Sequence, residues 1–126
     1  MPPIDKNITT FRYVATKEFL PTIIGSIFTS YGYLSTTMDA FWIAKATCEQ
    51  NKYDEDQAVM KVHIPKGKKA VYLSGNESEI LLPHDIELKL ISLTNKKFMC
   101  PLKKSKTSEW ECHILNNVPI YEFQLL

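Results

Sequence analysis

Glu77 and Glu79 stand one residue apart in the stretch "SGNESEILLP", and three aliphatic residues, Ile80, Leu81 and Leu82, follow at once. On a strand, residues two apart share a face, so both carboxylates point one way while Ser78, Ile80 and Leu82 point the other. Neighbouring carboxylates raise each other's proton affinity, which favours one of them acting as a base. Arg12 lies in the β-branched and aromatic run "TTFRYVA". An arginine in an apolar strand calls for a partner, either a carboxylate in a structural ion pair or a phosphate matched to its planar fork. Ser35, Thr36 and Thr37 close "YGYLSTT" with three hydroxyls, which serve a turn or a helix cap as readily as a ligand. Taken singly, each feature has an ordinary structural explanation.

The remaining reactive side chains are less organised. Cys48, Cys100 and Cys112 are odd in number and widely spaced, which suits buried free thiols in a reducing compartment rather than disulfides or zinc. His63, His84 and His113 are equally scattered, and His63 is expected on a solvated strand face. No metal is expected.

Elements must position these groups. "TTFRYVA" reads as a short strand, and Leu20, Ile23, Ile24, Ile27 and Phe28 fall at helical spacing. "YGYLSTT" reads as a strand entered through a glycine turn, and "DAFWIAKATCEQ" as an amphipathic helix with Asp39 near its cap. From residue 58 the texture changes. "AVMKVHIP", "KAVYLSG", "ESEILLP" and "DIELKLISL" all read as strands, with a "PKGKK" turn after the first and a Gly75-Asn76 turn before "ESEILLP". A lysine-rich loop with Lys96, Lys97, Lys103, Lys104 and Lys106 follows, and "VPIYEFQLL" reads as a closing strand. Helices early and antiparallel strands late give an α+β domain.

Bulk properties set the outer bounds. A chain of 126 residues with 44% apolar and 23% charged residues is one globular domain. A net charge of +1 argues against bulk electrostatic binding of nucleic acid. There is no apolar run of membrane-spanning length and no signal peptide at "MPPIDKNITT", so a cytosolic site of action, in its own or a host cell, is expected.

The order of the motifs adds what none gives alone. An arginine ending a first strand, "Y-x-S-T-T" ending a second and "E-S-E-I-L-L-P" opening a later one resemble the mono-ADP-ribosyltransferase family. The likeness is stronger to the toxin-like branch with an Arg, Ser-Thr-Ser, Glu-x-Glu signature. The run "VMKVHIPKGKKAVYLSGNESEILLPHDIELKLI" is similar to the same family's strand, "P-x-G" turn, strand and acidic motif, and the likeness spans Phe11 to Leu93. The third hydroxyl, Thr37, replaces a serine, and the stretch ahead of Glu77 is short. Family members also carry a helical segment ahead of the arginine, whereas Arg12 is almost at the start, so the sequence reads as a truncated or reduced member.

The resemblance implies an ADP-ribosyltransferase-like fold: two mostly antiparallel sheets around an NAD cleft, with few flanking helices, in a single catalytic domain spanning 1–126. It implies NAD as co-substrate and transfer of ADP-ribose to an arginine of a target protein, with release of nicotinamide and NAD hydrolysis as a side activity. A carboxylate near the sugar then meets the positive charge that develops on the ribose. By resemblance that residue is Glu79, at the nicotinamide ribose 2′-hydroxyl. Arg12 would grip the NAD phosphates, and Ser35 would orient Glu79. Tyr13 would hold the nicotinamide amide through its backbone, and Thr36 and Phe41 (beside Trp42) would also contact the cofactor. Glu77 would engage the acceptor arginine. A monomer is expected. The alternatives are a non-catalytic NAD- or protein-binding relative, and transfer to a nucleic-acid acceptor.

Overall fold

The computed structural model describes residues 3–14, 16–39, 57–73, 78–101 and 113–126. Strand β1 (Ile8–Val14) is followed by one 3-10 turn (Lys17–Phe19), then β2 (Ile27–Ser30) and β3 (Leu34–Thr37). After these come β4 (Ala58–Ile64), β5 (Val71–Leu73), β6 (Glu79–Leu82), β7 (Ile86–Pro101) and β8 (His113–Leu125). Apart from Asp39, the expected helix over 39–50 lies outside the described residues, as do the Gly75-Asn76 turn and Lys103, Lys104 and Lys106.

The strands form one ladder of eight in the order β2-β7-β8-β4-β1-β3-β6-β5. Pairing is antiparallel throughout except between β4 and β8, which run parallel. Two sheets are expected from the sequence, and the ladder shows how they are joined. β1 pairs with β4 along its whole length, from Ile8↔Ile64 to Val14↔Ala58, but with β3 only at Phe11↔Thr37. A three-strand part (β5-β6-β3) and a five-strand part (β1-β4-β8-β7-β2) therefore meet at a single register pair.

Side chains hold the two parts together. Along β4, Ala58, Met60, Val62 and Ile64 are at most 2% exposed, whereas the alternate Lys61 and His63 are only partly covered. That period of two follows from burying one face of a pleated strand. Leu34, Ile80 and Leu82 of the smaller part share one apolar cluster with Met60, Val62, Leu88, Leu90 and Phe123 of the larger.

Two sequence expectations are corrected. The helical spacing from Leu20 to Phe28 does not make a helix. Pro21 has no N–H to donate, and Gly25 adopts a φ of +92°, outside the helical region. The Gly25 N–H instead donates to the Leu90 carbonyl at 2.7 Å and the Leu90 N–H to the Ser26 carbonyl at 3.0 Å, which delivers β2 to the edge of β7. Ile23 and Ile24 are left exposed. Lys96 and Lys97 are likewise not in a loop but within β7, opposite Val118 and Asn117 of β8. No helix among the described residues is long and apolar enough to cross a membrane.

Candidate active site

The single-pair joint is also where the polar motifs meet. Cross-strand partners share a face, and β3 and β6 pair Thr37 with Glu79 and Ser35 with Leu81. Leu34, Thr36, Ile80 and Leu82 of the same strands are buried. Ser35, Thr37 and Glu79 therefore occupy the face turned away from the main core. The Ser35 hydroxyl donates to Glu79 Oε1. From the neighbouring part, Arg12 Nη1 donates to the Ser35 carbonyl at 2.8 Å. Arg12 is exposed, and among the described residues no carboxylate forms an ion pair with it. Its guanidinium has donors to spare for an anionic ligand.

These groups line a cavity of about 170 Å³ formed by Phe11, Arg12, Tyr13, Ser35, Thr36, Thr37 and Glu79. Pockets that enclose a whole drug-sized ligand run to roughly 300–1,000 Å³. This one is smaller, so a ligand of that size would extend beyond it. Among the described residues no group of three or more His, Cys, Asp or Glu is arranged to hold a metal.

Thr36 contributes to the wall, yet its hydroxyl donates to the Ile80 carbonyl at 2.9 Å and it is only 3% exposed. Its polar atom is spent on tying β3 to β6. Thr36→Val keeps the shape and deletes that bond, and should lower the free energy of unfolding by about 1–2 kcal/mol in a denaturant titration. Thr37 works at the mouth, where its hydroxyl accepts the Asp39 N–H at 3.0 Å. Glu77, Phe41 and Trp42 lie outside the described residues. Gln57, which accepts the Tyr13 hydroxyl at 3.1 Å, is not among the residues singled out from the sequence. The one available signal is an amide heading the apolar alternation "QAVMKVHI".

A second polar cluster lies toward the other end of β1. His63 bridges Thr9 Oγ1, 3.1 Å from its Nδ1, and Glu122, which pairs with its Nε2. It stands on the partly exposed face of β4, 30% accessible, within a network across β1, β4 and β8. The His63 hydrogen bond, with the charge of Lys61 behind it, holds the Glu122 carboxyl below its ordinary range against the opposing effect of burial. His84 is exposed, pairing with Asp85 and meeting Tyr33 edge to face.

The sequence model of the ADP-ribosyltransferase exoenzyme family matches residues 1–111. No curated protein matches significantly. Among solved structures, the C3larvin toxin, an ADP-ribosyltransferase from Paenibacillus larvae, superposes with a TM-score of 0.58 at 18% identity, over 98% of this chain and 68% of that one. The enzymatic component C2-I of the Clostridium botulinum C2 toxin gives a TM-score of 0.65 at 10% identity, over 98% of this chain and 32% of that one. The toxin BECa of C. perfringens, solved with NADH, gives 0.63 at 18% identity, again over 98% and 32%. The chain thus spans 68% of the length of C3larvin and about a third of the two larger components.

Proposed function

The chain belongs to the ADP-ribosyltransferase exoenzyme family, whose members act on NAD, and we propose that it transfers ADP-ribose from NAD to an arginine side chain of a target protein. The observation that carries this reading is the hydrogen bond from Ser35 to the Glu79 carboxylate, in the same cavity as the Arg12 guanidinium that donates to the Ser35 carbonyl. NAD supplies a glycosidic bond whose rupture sends its electron pair to the nicotinamide nitrogen and leaves positive charge on the ribose. Glu79, oriented by Ser35, meets that charge where it develops, and Arg12 holds the phosphates. By resemblance, the backbone around Tyr13 holds the nicotinamide amide, and Tyr13 lines the same cavity as Arg12, Ser35 and Glu79. Phe41 is assigned to the same cofactor site by resemblance.

The acceptor assignment rests on Glu77. A carboxylate two residues ahead of Glu79 can orient a guanidinium and take its proton as the new C–N bond forms, whereas relatives that modify other side chains often carry glutamine there. The test is incubation with labelled NAD and arginine-bearing acceptor proteins, following both nicotinamide release and label transfer. Glu77→Gln should cut transfer to arginine by about 100-fold, the effect of losing a general base, while much of the nicotinamide release to water persists. Undiminished transfer to arginine in that variant would remove the acceptor assignment.

A further inference from the structure

Gln57 lies just ahead of β4 and is 1% exposed. Its Oε1 accepts the Tyr13 hydroxyl at 3.1 Å, while its Nε2 is buried with no hydrogen-bond partner among the described residues. A buried, unpaired amide opposes folding, and an apolar side chain of similar shape would avoid that cost. Stability alone therefore argues against glutamine here. What the amide does accomplish is to fix the end of the Tyr13 side chain.

Tyr13 is placed to make that hold matter. It follows Arg12 on β1, and strand alternation puts the two side chains on opposite faces. Arg12 reaches the Ser35 carbonyl, while the Tyr13 ring packs with Phe11 against Val59 and Val118. Past Phe11, β1 has no register pair with β3 among the described residues, so where the end of β1 stands relative to Ser35 depends on side-chain ties: the bond from Arg12 to the Ser35 carbonyl and the hold on Tyr13, which lines the cavity with it.

We infer that Gln57 is a positioning residue for NAD binding: through the Tyr13 hydroxyl it sets the end of β1 that presents Arg12 and the adjoining backbone to the cleft. The inference rests on the functional reading above and deepens it, since Gln57 itself does not line the cavity. A group that positions the binding strand acts on the affinity for NAD more than on the chemical step.

The test uses Gln57→Met, which keeps the approximate shape and removes both the bond to Tyr13 and the unpaired nitrogen. The variant should melt no lower than the parent. Its Kd for NAD by calorimetry, and its KM for nicotinamide release, should each rise about five- to tenfold, the weight of one hydrogen bond, with kcat changed far less. Tyr13→Phe should weaken NAD binding to the same degree, and the double variant should be no worse than either single one, because both delete the same interaction. An unchanged Kd in Gln57→Met, or losses that add in the double variant, would overturn the inference while leaving the function intact. If the parent chain neither binds NAD nor releases nicotinamide, the functional reading fails and this inference falls with it.

Discussion

Glu79→Gln should reduce nicotinamide release and ADP-ribose transfer by about 10²–10³-fold, while NAD binding stays within a few-fold of the parent. The substitution keeps the size of the side chain and an oxygen that can accept the Ser35 hydroxyl, so the local geometry of β3 and β6 survives. It removes the negative charge. Deleting one preorganised group that meets charge in a transition state costs about 3–4 kcal/mol, which corresponds to that factor in rate. Because the charge on the ribose develops only as the glycosidic bond breaks, the loss should fall on kcat rather than on affinity. Ser35→Ala should be milder, since it releases the carboxylate from its orientation without discharging it. A Glu79→Gln variant that keeps more than a tenth of the parent's nicotinamide release would take the catalytic role away from this residue.

The largest expected effect on stability belongs to Phe123→Ala, which should lower the unfolding free energy by about 3–5 kcal/mol. Phe123 is fully buried on β8, beside Val62 of β4 and Leu90 of β7, and its ring packs against Phe28 with centroids 5.9 Å apart. It shares an apolar cluster with Leu34, Ile80 and Leu82 of the smaller part. The resulting cavity would therefore loosen the contact between the two parts as well as the central strands. For a domain of this size the loss corresponds to a fall in melting temperature of roughly 10–20 °C. Guanidinium titration should show a lower midpoint at an unchanged slope. A loss below about 1 kcal/mol would mean that the cluster does not bind the two parts as described.

Much of this arrangement is legible in the sequence wherever one face of a strand is buried. The alternation of Met60, Val62 and Ile64 with Lys61 and His63 marks β4, and that of Ile86, Leu88 and Leu90 with Glu87 and Lys89 marks the start of β7. The β2 region misleads because its spacing is helical while Gly25 takes a φ of +92° to reach its decisive partner, Leu90, which is far along the chain. The same remoteness hides the parallel pairing of β4 with β8, set by contacts such as Val62↔Phe123. Beyond Leu93 the long β7–β8 ladder loses its one-sided pattern, which is why Lys96 and Lys97 read as loop. At the site, the types and order of Arg12, Ser35 and Glu79 are visible in the sequence, because the chemistry restricts which residues can serve. Gln57 is not, since its partner lies across a strand pair rather than nearby in the chain.

The joint at Phe11 and Thr37 has a thermodynamic consequence. With a single register pair spanning it, the ladder contributes little to keeping the two parts in step there, and the bond from Arg12 to the Ser35 carbonyl is one polar tie across it among the described residues. A ligand that touches Arg12 on one side and Glu79 on the other becomes a rivet across that seam. Its binding energy is then also folding energy, growing as the logarithm of ligand concentration. On the proposed function NAD would span that seam, and the departure of nicotinamide would give up part of the added stability.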